Sequence, residues 1–243
     1  MLQTTKDRAE SLELLTPRLH INEKCQDRDF QTWLQSRLSV KAGERVLDLA
    51  CGDGAQSRYF DKRIGKNGYL RCVDIHEPSI NAIKEFIYPG QNREFVVSDM
   101  MNFDAYLASP GMFTLAHCSF ALPYASDPAL VVEKLAESIQ RPLGRLAISL
   151  PCRPHGMVEF AKAVHPIPES VETAIDLGES ECISIFRSIF GEVDVSYFNS
   201  NLSFASAEDF MSLYKNTTYY SQAHESEVTE VVNSFISSQG SLS

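Results

Sequence analysis

Five short apolar runs fall between residues 45 and 150: RVLDLA at 45–50, YLRCVDI at 69–75, EFVVSD at 94–99, FTLAHCSF at 113–120 and GRLAISL at 144–150. Amphipathic stretches near 55–63, 78–88 and 127–140 lie between them, and Pro78 and Asp127-Pro128 are suitable helix starts because a first-turn proline forfeits no hydrogen bond. Runs this short and this continuously apolar are strands covered on both faces. Strands alternating with helices form βαβ units, and these build a parallel sheet with helices on either side. Upstream, Leu12, Leu14 and Leu15, then Phe30, Trp33, Leu34 and Leu38 recur at helical spacing, with Asn22 as a candidate cap. Residues 1–40 are therefore expected to form a helical cap, and 41–243 the main domain. Downstream, alternation in EVDVSYF and NLSFA around an NSN break predicts a terminal antiparallel hairpin, which brings the strand count to seven. Ser206 to Asp209 resembles a capping box, and Val228, Val231, Val232, Phe235 and Ile236 mark a last helix.

A chain of 243 residues with 44% apolar content has room for one large domain. Its formal charge of −10, without basic runs, argues against a nucleic-acid backbone or an anionic membrane as partner, since both demand Lys/Arg surfaces. The charged first residues lack the apolar stretch of a signal peptide, and no apolar run approaches the ~18–20 residues of a membrane span, so a cytoplasmic protein is expected. The six cysteines lie far apart without a C-x-x-C pair and read as reduced, mostly buried thiols. No His/Cys cluster points to a metal.

The chemistry concentrates at the ends of the apolar runs. In Val46-Leu47-Asp48-Leu49-Ala50-Cys51-Gly52-Asp53-Gly54, a strand ends beside a tight glycine loop that opens a helix, so a ligand can approach bare backbone N–H groups at the carboxyl edge of the sheet. The dinucleotide pattern G-x-G-x-x-G is not met, because Ser57 stands where the third glycine belongs. The second run ends in Asp74, followed by Ile75. Asp74 lies 20 residues beyond Gly54, the separation at which a second-strand carboxylate reaches a ribose diol. The third run ends in Asp99-Met100, where the acid can accept from an exocyclic adenine amine and the thioether can pack beside the ring.

This set resembles the class I S-adenosylmethionine-dependent methyltransferases over about residues 40–205. Asp48-x-x-x-Gly52-x-Gly54 is similar to their first motif, Asp74 to the ribose-binding acid and Asp99-Met100 to the adenine-contacting pair. His117-Cys118-Ser119-Phe120-Ala121-Leu122 is similar to the fourth-strand segment of the small-molecule and quinone-biosynthesis branch, where a residue placed like Ser119 borders the methionine part of the cofactor. Residues 141–149 are similar to that branch's turn before strand five, with Arg141 and Leu143 as departures. The resemblance implies a doubly wound, Rossmann-like α/β fold, S-adenosylmethionine as cofactor, and methyl transfer to a small organic molecule of the secondary-metabolite or quinone type. The implied cofactor-binding set is Asp48, Ala50, Gly52, Asp53, Gly54, Asp74, Ile75, Asp99, Met100 and Ser119.

Methyl transfer from an activated donor rests mainly on alignment, which alone contributes roughly 7–11 kcal/mol. A base is needed only where the acceptor arrives protonated, and His117 and His155 are the candidates by position. The proline-punctuated stretch at 151–190, following strand five, is expected to act as a substrate cover. Two other functions fit parts of the pattern: a nicotinamide-dependent oxidoreductase or epimerase, and a non-catalytic cofactor-binding protein.

Overall fold

The computed structural model describes residues 8, 11–107, 111–239 and 241–242, without the side chains of 179, 180 and 239. Residues 1–7 and 9–10 of the expected cap lie outside the described residues. The elements in chain order are α1 (Leu12–Cys25), α2 (Phe30–Leu38), β1 (Arg45–Leu49), α3 (Ala55–Ile64), β2 (Tyr69–Asp74), α4 (Glu77–Lys84), β3 (Arg93–Val97), β4 (Leu115–Ser119), α5 (Pro128–Ser138), β5 (Arg145–Ser149), α6 (Gly156–Val164), α7 (Glu169–Asp176), α8 (Cys182–Ile189), α9 (Ala207–Lys215) and α10 (Glu225–Gln239). A single π turn, Leu177–Glu181, joins α7 to α8. The chain divides into two compact units.

The first unit comprises Leu34–Pro151 and Ala174–Val195 and holds the sheet, ordered β3-β2-β1-β4-β5 with every pairing parallel. Each of the five strands falls on an apolar run. Because the order reverses between β1 and β4, their carboxyl ends flank the switch point at which open α/β sheets take ligands. Alternation along the strands sorts the side chains onto two faces. Leu47, Leu49, Val73, Ala116 and Cys118 join Val131, Val132 and Leu135 of α5, with Leu177 and Cys182, in one apolar core. On the opposite face of β1 and β4 lie Asp48 and His117, and Phe60 of α3 packs edge-on against the His117 ring at 5.2 Å between centroids. The helix starts are locally encoded: Asp127 accepts the Leu130 N–H at 2.9 Å, and Asp29, not Asn22, caps α2 by accepting the Thr32 N–H at 3.0 Å. Asn22 sits inside α1. Gly178 of the π turn rests on the chain just past β5, where a Cβ would stand 2.2 Å from the Pro151 carbonyl oxygen.

The second unit comprises the described residues of Met1–Trp33 and Ser196–Ser243, with Cys152–Thr173. Its core centres on Phe210, whose ring meets Phe160 at 4.9 Å and Phe204 at 5.2 Å, with Val158, Leu213, Tyr214, Val228 and Val232 buried around it. Ser206 caps α9 through the Asp209 N–H, as the capping box predicts. The expected cover at 151–190 therefore divides between the two units.

The expectation of seven strands is corrected to five among the described residues, and the terminal hairpin does not form. Residues 192–200 carry no regular structure. Val195 and Tyr197, which the alternation pointed inward, are exposed, so no apolar face holds a ladder together. The NSN segment is instead pinned to Asp27, which accepts from the Ser200 hydroxyl and the Asn201 N–H, both at 2.9 Å. Leu202 and Phe204 make isolated bridges to Gln26 and Leu242 rather than to residues 192–198.

Candidate cofactor site

The site is built where β1 and β2 end. Ala50 at φ 55°, Gly52 at φ 56° and Gly54 at φ 78° turn the chain sharply from β1 into α3. At Gly54 the turn also has no room for a side chain, since a Cβ would stand 2.5 Å from Ile83 Cγ1. The loop is tied to β2 by two of its backbone N–H groups: that of Cys51 donates to the Val73 carbonyl at 3.1 Å, and that of Gly52 to the Asp74 side chain at Oδ2, 2.8 Å away. The other oxygen of Asp74 accepts the His76 N–H at 2.9 Å. Asp53 is half-buried, and its carboxylate accepts the Ala55 N–H at 3.0 Å, in the first turn of α3.

Asp74 is only 8% exposed, and burial pushes its carboxyl above the usual aspartate range against the pull of its two N–H donors. Each carboxylate oxygen retains acceptor capacity beyond its one backbone partner, enough for a vicinal diol. Ile75, next along, is exposed. Asp99 lies just past β3, where its carboxylate accepts the Met101 N–H at 2.8 Å, and Met100 packs partly buried against the apolar core. Asp48, Ala50, Gly52, Asp53, Gly54, Asp74, Ile75, Asp99, Met100 and Ser119 thus all belong to one unit, on or just past the ends of β1 to β4.

Beneath the loop runs a buried polar chain that crosses four elements. Asp48 and His117 face each other in register, and His117 Nδ1 lies 2.8 Å from Asp48 Oδ1. The Ser57 hydroxyl donates to Asp48 Oδ2 at 2.5 Å, and Cys72 Sγ lies 3.4 Å from Ser57 Oγ. Asp48 and His117 are each 1% exposed. Two atoms on this face of β4, His117 Nε2 and Ser119 Oγ, are buried without a hydrogen-bond partner. Ser57 is the residue that sequence reasoning missed, having noted it only as a failed glycine. A signal was present: Ser57, Phe60 and Ile64 share the sheet-facing stripe of α3, so a polar side chain there had to find a buried partner.

His155 lies in the other unit, at the start of α6. It is half-buried, and burial holds its imidazole below the usual histidine value, with Glu159 opposing. The six cysteines are thiols and, apart from half-buried Cys152, buried. Burial pushes the thiols of Cys118 and Cys182 up to about 12 and about 11, as expected of inert thiols. Among the described residues no group of three or more His, Cys, Asp or Glu could hold a metal ion, and no helix is long and apolar enough to cross a membrane.

The donor set suits a nucleoside carrying an amino-acid arm. It offers a tight glycine loop, a buried carboxylate with spare acceptor capacity, an acid beside a thioether, and an unpartnered hydroxyl at the end of β4. Comparison with known proteins agrees. Residues 46–143 match the family model described as a methyltransferase domain. The ubiquinone/menaquinone biosynthesis C-methyltransferase UbiE of Hahella chejuensis is 26% identical over 65% of this chain and 58% of its own length. The mRNA cap guanine-N(7) methyltransferase 1 of Oryza sativa subsp. japonica is 29% identical over 61% of this chain and 42% of its own length. The chain thus spans less than two thirds of the length of either relative. The crystal structure of a putative methyltransferase from Bacillus halodurans shares the fold, with a TM-score of 0.61 at 17% identity over 84% of each chain.

Proposed function

We propose that this protein is a methyltransferase that carries the methyl group of S-adenosylmethionine to a small organic acceptor. The observation that carries the reading is the Gly52 to Asp74 hydrogen bond, which joins the glycine loop to a buried carboxylate with acceptor capacity to spare. In this reading Asp74 receives the ribose hydroxyls, and Asp99 with Met100 receives the adenine. The loop from Ala50 to Gly54 lies along the amino-acid arm, with Asp48 beneath it and Ser119 at the far side. Bound S-adenosylmethionine supplies a methyl group already activated on a sulfonium, so the chain's contribution is to bind, align and exclude water.

An apolar acceptor is favoured by Phe120, which stands 46% exposed just past β4 with its backbone at φ 57° and its N–H held by the Ser149 carbonyl at 2.8 Å. A quinone-type acceptor is the finer form of this proposal, in keeping with the name of the Hahella relative. A nucleic-acid acceptor is disfavoured by the net charge of −10. The test is to incubate the protein with methyl-labelled S-adenosylmethionine and fractionated extract and to follow label by mass spectrometry. Label in a small molecule supports the proposal. Cofactor binding without label transfer across the fractions would favour a non-catalytic binder.

A further inference from the structure

The structure assigns His117 a positioning role: its imidazole braces Asp48, and through Asp48 and Ser57 it holds the first turn of α3 and the cofactor loop in the binding shape. This rests on the reading of Ala50 to Gly54 as the S-adenosylmethionine loop. Three observations carry it. The His117 side chain is 1% exposed, so it does not reach an acceptor molecule from where it stands. Its Nδ1 lies 2.8 Å from an oxygen of Asp48, and because a carboxylate only accepts, Nδ1 carries the proton of that bond and Nε2 takes no part in it. That Nε2 is buried without a partner. A base must share its free nitrogen with a substrate proton, whereas a brace needs only the nitrogen that faces Asp48.

The consequence for the loop follows from connectivity. Asp48 stands two residues before Ala50, where the chain first turns to positive φ, and Ser57 stands three residues after Gly54, where the turn ends. The carboxylate therefore pins both ends of the loop at once, with Ser57 on one oxygen and His117 on the other. Without His117 the carboxylate can turn toward other donors and release Ser57. A buried carboxylate that loses a donor is expensive, and the loop is the adjacent segment able to rearrange.

The experiment uses the full chain with S-adenosylhomocysteine as probe. Histidine-selective 15N spectra of the wild type should show the His117 ring with a protonated, pyrrole-like Nδ1. Calorimetry should then show H117L binding the probe at least ~10-fold more weakly than the wild type. H117N, whose amide nitrogen can stand near the Nδ1 position, should restore most of that loss. If H117L does not fold, the spectra and H117N carry the test. The role is overturned if the Nε2–H tautomer is found, if H117L binds like the wild type, or if H117N binds no better than H117L. A folded wild type that does not bind the probe refutes the cofactor reading itself, a result separable from all three.

Discussion

Replacing Asp74 with Asn leaves the shape of the side chain almost unchanged and removes its charge. In the wild type both carboxylate oxygens accept backbone N–H groups, from Gly52 at 2.8 Å and His76 at 2.9 Å. The Asn amide has one oxygen for two donors, so either the Gly52 or the His76 N–H faces an NH2 group and the loop loses an anchor. The ribose loses a charged acceptor as well. A hydrogen bond to a charged group is worth about 1.5–3 kcal/mol, so affinity for S-adenosylhomocysteine should fall roughly tenfold to 150-fold.

A pH series sharpens this prediction. Burial raises the Asp74 pKa above its ordinary 3.8 in the ligand-free fold. The folded protein therefore holds this proton over a window where the unfolded chain has released it, and the contribution of Asp74 to stability declines as pH rises through that window. A ribose diol donates best to the ionised form, so wild-type affinity should fall as pH is lowered through the raised pKa, while D74N stays flat. Calorimetric titration of both proteins across that range is the assay. Wild-type affinity in D74N, or the same pH profile in both, would refute the assignment of Asp74.

Other outcomes follow from the same geometry. Gly54→Ala forces a Cβ to within 2.5 Å of Ile83 Cγ1 at φ 78°, so urea unfolding should show a loss of about 1–3 kcal/mol together with weaker cofactor binding. An unchanged midpoint would contradict the packing of the loop. Gly178→Ala places a Cβ 2.2 Å from the Pro151 backbone oxygen, which cannot give way as a side chain can, and should cost about 2 kcal/mol or more in the same assay. Phe60→Ala, at a fully buried position, should cost about 3–5 kcal/mol. Asp27→Ala should speed hydrogen exchange at the Asn201 amide; since hydrogen bonds from Asn201 and Ser200 hold the Asp27 carboxyl below its usual range, acid should loosen the same turn as pH falls through that lowered value. Exchange at Asn201 that is indifferent to both would refute the pinned turn.

The parallel sheet was legible because its strands are apolar on nearly consecutive residues, the pattern of strands covered on both faces, and each of the five runs became a strand, although the edge strands β3 and β5 are only partly buried. The hairpin at 192–205 misled because alternation is ambiguous when nothing covers the apolar side. Val195 and Tyr197 alternate correctly and remain exposed, and the partner of the NSN turn, Asp27, lies 173 and 174 residues away in sequence. The same limit divides the site. The 20-residue step from Gly54 to Asp74 is a local spacing that one βαβ unit fixes. The facing of Asp48 and His117 depends on strand register across 69 residues, which no local pattern encodes. His117 therefore read as a candidate base from its position at a strand end, while its pairing with Asp48 came into view only in three dimensions.

In the proposed complex S-adenosylmethionine lies along the carboxyl edge from β1 to β4. A crystal structure of the complex with S-adenosylhomocysteine tests that most directly. It should place both ribose hydroxyls within hydrogen-bond distance of the Asp74 carboxylate, the adenine beside Asp99 and Met100, and the amino-acid arm along Gly52 and Gly54 toward Ser119. A ligand seated away from Asp74, or a ribose whose hydroxyls bond elsewhere, would contradict it.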